Sequence, residues 1–388
     1  MKRLALAPVI GLLLTAAAAA PVSAAAWSRA FVVDWMEPAF YHGGAGDDNT
    51  APGTDCPKGT YPSHPMEVVL KTGWRSQADI DYYRDAEHRE ALKRVLRFRG
   101  PNYENVWEEP TEAPDLGLQP VTGHIGYGFN LDGKVKKTDF TTPDGEKGID
   151  NNYYRAGGCW ASYRGEPFKS QRGVGINNYM RDGLYTILIV VSGTKDPAND
   201  DDVTLGFYQG ADKVVKDAQG NVASDATFAV EPNPATQSII KASIKNGVLE
   251  TKGPSEIRLR DEGWNLSQPA QLQLTQGRIR FRFTPAGGLE GLFGGYRDWK
   301  VLYRKQAVNG RDTEMNQGID LPSFYYALQR YADADPDPKT GQNRRISTAY
   351  RLRAVPAFVV APDGGEVIRQ ARLIDHHAGT PMAGGANN

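Results

Sequence analysis

Cysteine is scarce in this chain: there are two in 388 residues, Cys56 and Cys159. They form neither CxxC nor CxxCH, which argues against a thioredoxin-type redox pair and a covalently held c-type haem. Histidine is scarce too, with six scattered residues and no zinc or copper spacing. Asp375-His376-His377 sets two imidazoles side by side, but neighbours along a strand point to opposite faces and rarely share a metal. His88 falls on an expected helix with no second histidine three or four residues away. There is no GxSxG, Walker loop, GxGxxG or HExxH. Neither charge sign is in excess, with 45 basic residues against 46 acidic ones. Without a basic surplus for phosphate contacts, nucleic acid is not an expected partner. Only the N-terminus carries a long apolar run.

That run reads as an export signal over residues 1–24. Lys2 and Arg3 give the positive start, Leu4 to Ala20 the apolar core, and Val22-Ser23-Ala24 a small-x-small cleavage site. The alternative, an uncleaved anchor, sits poorly with an alanine-rich run this short and weakly apolar. Cleavage removes two basic residues and no acid, and no membrane span is expected after it. The expected location is the periplasm or the cell exterior. In that oxidising setting Cys56 and Cys159 are expected to form a disulfide, with two free buried thiols as the alternative.

Glycine (42) and proline (25) are abundant without a period, while hydrophobic residues hold at 40%. That balance fits a loop-rich β protein better than disorder. His42 to Ser63 reads as irregular loop. A helix follows, capped by Ser76 with Asp79 three positions on. It carries Ile80, Tyr83, Ala91, Leu92, Val95 and Leu96 near helical spacing, and Gly100-Pro101 ends it. From Gly183 the period becomes that of strands. Candidates are Leu184–Ser192, Val203–Tyr208, Thr227–Val230, Ser238–Ile244, Val248–Thr251, Glu256–Arg260, Ala270–Thr275 and Arg278–Thr284. In R-I-R-F-R-F, Arg278 to Phe283, strict alternation predicts one buried and one wet face. Leu321–Asp333 reads as a late helix with Pro322 in its first turn, and Arg351–Val360 as a strand entered through Pro356.

Several short strands with turns between them predict a mainly β fold, an antiparallel β-sandwich of jelly-roll or lectin type. The expected division is a signal peptide (1–24), an N-terminal helical and irregular region (25–135), a β-sandwich domain (136–377) and a flexible tail (378–388).

Thr141 to Asn152, T-T-P-D-G-E-K-G-I-D-N-N, gathers hard oxygen ligands around Gly145 and Gly148. Asp139, Asp144, Asp150 and Asn151 are candidate ligands for calcium, the one candidate cofactor. The same residues also build ordinary Asx turns. Against an EF-hand, Phe140 falls at the first ligand position and Asn151 at the last, where glutamate is needed. The D-G-x-x-G-x-D-N spacing resembles the Asp-rich loops of thrombospondin type 3 repeats, but here it is single and one residue short. Asp196 to Asp202 is a second acidic loop, with Asp200 and Asp202 as candidate ligands and a solvated hairpin tip as the alternative. Asp333, Asp335 and Asp337 form a third, with Pro338 where a calcium loop needs glycine.

Tryptophan beside carboxylate is the pattern sought for carbohydrate. Trp35 with Glu37, Trp107 with Glu108 and Glu109, Glu262 with Trp264, and Asp298 with Trp299 all show it. Packed tryptophans with surface acids are the plain alternative. Ala354 to Val367 is similar to the segment around the active-site proline of thioredoxin-like folds, but no CxxC precedes it. The Asp-rich loop, the L-Y-T-I-L-I-V-V-S-G strand, the N-D-D-D loop and V-T-L-G-F-Y occur in that order. Over Asp132 to Tyr208 this resembles a group of uncharacterised exported bacterial proteins, which implies an exported, β-rich chain and no particular activity.

The expectation is therefore an exported, non-catalytic protein that binds a glycan or surface partner, with Trp107, Glu108, Glu109, Glu262 and Trp264 as candidate binding residues. The alternative is a secreted polysaccharide hydrolase using those carboxylates, which requires two of them at a set separation.

Overall fold

The computed structural model describes residues 27–46, 48–61, 76–260, 271–308, 310–361 and 367. The expected signal peptide, Glu262, Trp264, the His376-His377 pair and the tail lie outside them.

The fold is mainly β, but it is a closed barrel and not a sandwich. In chain order its strands are β1 (Trp27–Pro38), a small hairpin β2 (Phe140–Thr141) and β3 (Lys147–Ile149), then β4 (Ile187–Gly193), β5 (Asp200–Gln209), β6 (Ala226–Ala229), β7 (Ser238–Lys245), β8 (Val248–Thr251), β9 (Ser255–Arg260), β10 (Gln271–Phe283), β11 (Leu289–Asp298), β12 (Ala334–Pro336) and β13 (Asn343–Val360). The staves run β1-β4-β5-β7-β8-β10-β11-β13 in sequence order, each antiparallel to the next. β1 closes the ring: Phe31 is in register with Ile189 of β4 on one side and with Pro356 of β13 on the other. This double pairing overturns the expected sandwich, since a sandwich has two sheets with free edges and these eight staves have none. β6, β9 and β12 add on outside the ring.

Branched and aromatic residues at alternate positions fill the barrel. Along β7 every second residue from Ser238 to Ile244 is buried, and its neighbours are not. Phe207 of β5 meets Phe281 of β10 at 6.2 Å and Phe293 of β11 at 6.0 Å, between staves that are not neighbours. These are contacts through the interior, so the lumen is a packed core, as in other small barrels. β4 is buried along its whole length because its outer face is covered as well.

The helices form a cap on one end of the barrel, except that the one preceding β4 packs along β1 with Met180 in the barrel core. They are α1 (Gln77–Arg84), α2 (Arg89–Arg97), α3 (Asn152–Gly157), α4 (Gln171–Arg181), α5 (Trp299–Val308) and α6 (Leu321–Tyr331). Two insertions supply them, one between β1 and β4 and one between β11 and β13. Pro38 faces Tyr350 and Asp298 faces Arg345, so both insertions leave the same barrel end. They share one core, in which Leu96, Trp107, Tyr154 and Trp160 of the first pack with Trp299, Tyr303, Phe324 and Leu328 of the second. The cap core thus draws on residues from both sides of residue 136.

The helix expected from Ser76 is two helices. The Ser76–Asp79 capping box forms, but Asp85 turns extended and caps a short 3-10 turn before α2. The strands expected at Ala270–Thr275 and Arg278–Thr284 are one strand, β10, with an irregularity between Thr275 and Arg278.

The cysteines pair: Cys56 and Cys159 form a disulfide across 103 residues, with both side chains inside the cap core. Among the described residues, no helix is long and apolar enough to cross a membrane.

Candidate functional site

The cap opens in a cleft of about 1040 Å³. Its lining comes from α2 (Lys93, Arg97), the segment Trp107–Glu112, α5 with Arg311 beyond it, and Tyr325 of α6. Helical spacing explains the cations: Lys93 and Arg97 are one turn apart on α2, as are Lys300 and Arg304 on α5.

The floor is fixed by a buried ion cluster. Arg99 donates to both oxygens of Glu314, at 2.9 and 2.7 Å, and to Asp320 Oδ1 at 2.5 Å. Glu314 also accepts from Trp107 Nε1 at 2.9 Å and from the Leu321 amide at 3.1 Å. Asp320 caps α6 through the Ser323 amide at 3.0 Å. Burial works against the charge on Arg99, but Glu314 and Asp320 outweigh it and hold its pKa above the usual value. Burial raises Glu314, with Arg99 opposing that rise. The Trp107 indole is thereby locked, and Tyr303 braces it from α5 by donating to the Trp107 carbonyl at 2.9 Å. Tyr325 packs edge-on to Tyr303 with ring centres 5.2 Å apart.

The accessible chemistry of the cleft is charge. Arg97 pairs with Glu108 at 2.9 Å and lies over the Trp107 ring. Arg311 and Lys93 share Glu90, at 3.3 and 3.7 Å. Lys300 and Arg304 are exposed and make no ion pair among the described residues. Glu109 and Glu112 are exposed on the other lining segment. The cleft therefore offers two open cations beside two open acceptors. Among the described residues, α5 brings no carboxylate into the cleft to face Glu108 or Glu109.

Trp107, Glu108 and Glu109 thus meet in one cleft. Among the described residues, the other tryptophan–acid neighbours are spent on structure. Glu37 is buried, accepting from the Phe168 amide and the Ser170 hydroxyl, both at 2.9 Å. Asp298 accepts from the first amides of α5, at 2.8 Å from Lys300 and 3.0 Å from Val301.

The candidate calcium ligands fall in two regions, one around the β2–β3 hairpin and one at the β4–β5 turn. Asp139 accepts from the Lys136 amide, Asn151 caps α3 through the Tyr154 amide at 3.2 Å, and Asp144 lies exposed. A hydrogen bond from Thr142 lowers Asp144. Asp150 is buried and accepts from the Leu131 and Asp132 amides at 2.8 and 3.3 Å; burial pushes its pKa up to about 6. At the far end of the barrel, Asp200 closes the β4–β5 turn by accepting from the Thr194 and Lys195 amides at 2.7 and 2.8 Å, and Asp202 stays exposed. Among the described residues, no group of three or more His, Cys, Asp or Glu is placed to hold a metal ion.

Sequence pattern alone does not single out Lys300, Arg304 and Arg311, and the i, i+4 spacing of Lys300 and Arg304 is the one local signal for them. No known protein family matches the chain, and no curated protein or solved structure is detectably similar to it.

Proposed function

We propose that this is an exported, non-catalytic binding protein that takes an acidic glycan in the cap cleft. The observation that carries the reading is the pair of open cations, Lys300 and Arg304, beside the open acceptors Glu109 and Glu112. A uronate carboxylate matches the cations, and sugar hydroxyls match the glutamates. Half-buried Tyr325 and buried Trp107, both lining the cleft, supply apolar surface. The disulfide agrees with an oxidising location.

The test is calorimetric titration with an oligogalacturonate and with a neutral oligosaccharide of equal length. The uronate should bind more tightly and lose affinity with salt. The double variant Lys300→Glu/Arg304→Glu, on exposed positions, should weaken uronate binding tenfold or more, in line with the loss of charged hydrogen bonds. Equal binding of the neutral sugar, or an unaffected double variant, overturns the reading. Release of shortened sugar would overturn its non-catalytic part.

A further inference from the structure

A second pocket, of about 330 Å³, lies on the outer wall of the barrel, where β10, β11 and β13 run together beneath Tyr127, Pro167 and Phe168 of the cap. Register builds it. Arg280, Leu292 and Arg351 stand in one row across the three staves, and Arg282, Glu290 and Arg353 in the next. Residues two apart on a strand share a face, so both rows point outward.

The arginines are not equivalent. Arg280 is spoken for: Glu146 accepts from it at 2.7 Å and Glu250 at 2.5 Å. Arg353 is held by Asp34, at 2.7 Å. Arg351 is 5% exposed, yet it lines the pocket. It donates to the Phe40 carbonyl at 3.0 Å and lies 4.9 Å from the centre of the Tyr127 ring. Its nearest carboxylate, Glu37, is 3.6 Å away and already accepts from Phe168 and Ser170. Arg282 is exposed and has no ion-pair partner among the described residues, although Glu290 is its direct cross-strand neighbour. The lid is strained as well as shaped. Phe168 has φ +68°, a region that costs a non-glycine residue about 1–3 kcal/mol and that clusters at ligand sites. Glu37 holds it there through the Phe168 amide, and Trp35 packs edge-on to its ring at 6.3 Å.

We infer that this wall pocket binds a small monocarboxylate with a ring-sized apolar body. The carboxylate sits between Arg282 and Arg351, and the body lies among Phe168, Tyr127, Pro167 and Leu292. Glu290 at the rim repels a second negative charge and restricts the class to monoanions. The site is separate from the cap cleft and shares no lining residue with it.

The probe is 3-phenylpropionate, titrated into the full chain and followed by ligand-observed NMR and calorimetry, with 3-phenylpropionamide as its uncharged twin. The acid should bind, and the amide at least tenfold more weakly. Arg282→Glu, which removes the open cation, and Leu292→Trp, which fills the pocket, should each weaken the acid tenfold or more while circular dichroism stays unchanged. Arg304→Glu, in the cap cleft, should bind it like the unaltered chain. The inference falls if the acid does not bind, if the amide binds equally well, or if both wall variants leave binding intact. It also falls if Arg304→Glu alone abolishes binding, because the acid would then occupy the cleft.

Discussion

The barrel and the cap are stabilised by different means. The barrel is a continuous apolar ring, with Phe207, Phe281 and Phe293 in contact through its centre and every stave paired on both sides. Its hydrogen bonding is satisfied by the sheet, and its interior needs only volume and branching. The cap is assembled from two distant insertions. Its first three helices have 8, 9 and 6 residues, too short to be stable alone. It therefore carries devices that the barrel interior does without: a disulfide, the Arg99–Glu314–Asp320 cluster, and a buried Arg164–Asp55 pair at 3.2 Å. A closed sheet defines its own core, whereas short helices from separate segments need fixed polar and covalent joints. One of those joints, the Arg99 cluster, also fixes Trp107 in the wall of the cleft, where the candidate site lies.

Losing a cap joint should loosen the cap and leave the barrel intact. Removal of the disulfide by Cys56→Ser/Cys159→Ser should have the largest effect. Freeing a loop of this length costs up to about 4–5 kcal/mol in the chain-entropy view. Urea unfolding should then split in two, with amide exchange rising in α1 to α3 while β4, β5 and β7 stay protected. A single transition, with cap and barrel exchanging together, would show that the two regions are one cooperative unit.

Arg99→Met comes next. It leaves Glu314 and Asp320 buried beside each other without their counter-charge, which costs about 3–5 kcal/mol for a buried pair broken on one side. Adding Glu314→Gln should recover part of the loss by removing one of the two charges. If Arg99→Met alone is neutral in urea unfolding, the cluster is not a joint and the contrast with the barrel weakens.

Much of the barrel was legible in the sequence, but its closure was not. The V-V-D-W run of β1 carries an acid at the irregularity between Val33 and Trp35, which interrupts the alternation. Asn177 of α4 bridges this stretch by accepting from the Met36 amide at 2.8 Å and donating to its carbonyl at 3.1 Å, a tertiary contact with no local signal. β11 is masked by Gly291, Gly294 and Gly295. A side chain at Gly291 would come within 2.1 Å of the Arg280 carbonyl, so the stave needs glycine where propensity argues against a strand. With β1 and β11 unseen, the remaining strands fit an open-edged sandwich. In the cleft, Trp107, Glu108 and Glu109 were found because they adjoin in sequence. Lys300 and Arg304 reach the same cleft only through packing of the second insertion on the first, which one-dimensional spacing does not encode.

The smallest expected effect tests the seam between the two regions. Asp333 precedes β12 and accepts from the Ser347 amide of β13 at 2.7 Å and from Asn152 of α3 at 3.1 Å, so it ties barrel to cap. Burial pushes its pKa up to about 6, opposed by the Ser347 bonds, and Asp150 raises it further. Asp150 is likewise pushed up to about 6 by burial. Both carboxyls therefore hold a proton in the folded state at a pH where the unfolded chain has released it, and folding stability falls as pH rises from about 4 through 6. Acidification from pH 7.5 to 5.0 should stabilise the protein by roughly 2 kcal/mol, read from urea midpoints at constant ionic strength. Asp333→Asn should be more stable than the unaltered chain at pH 7.5 and show a flatter profile. A loss of stability over this window, or an unchanged slope in Asp333→Asn, would mean that the seam is held by ionised carboxylates and that the cap docks on the barrel through charge.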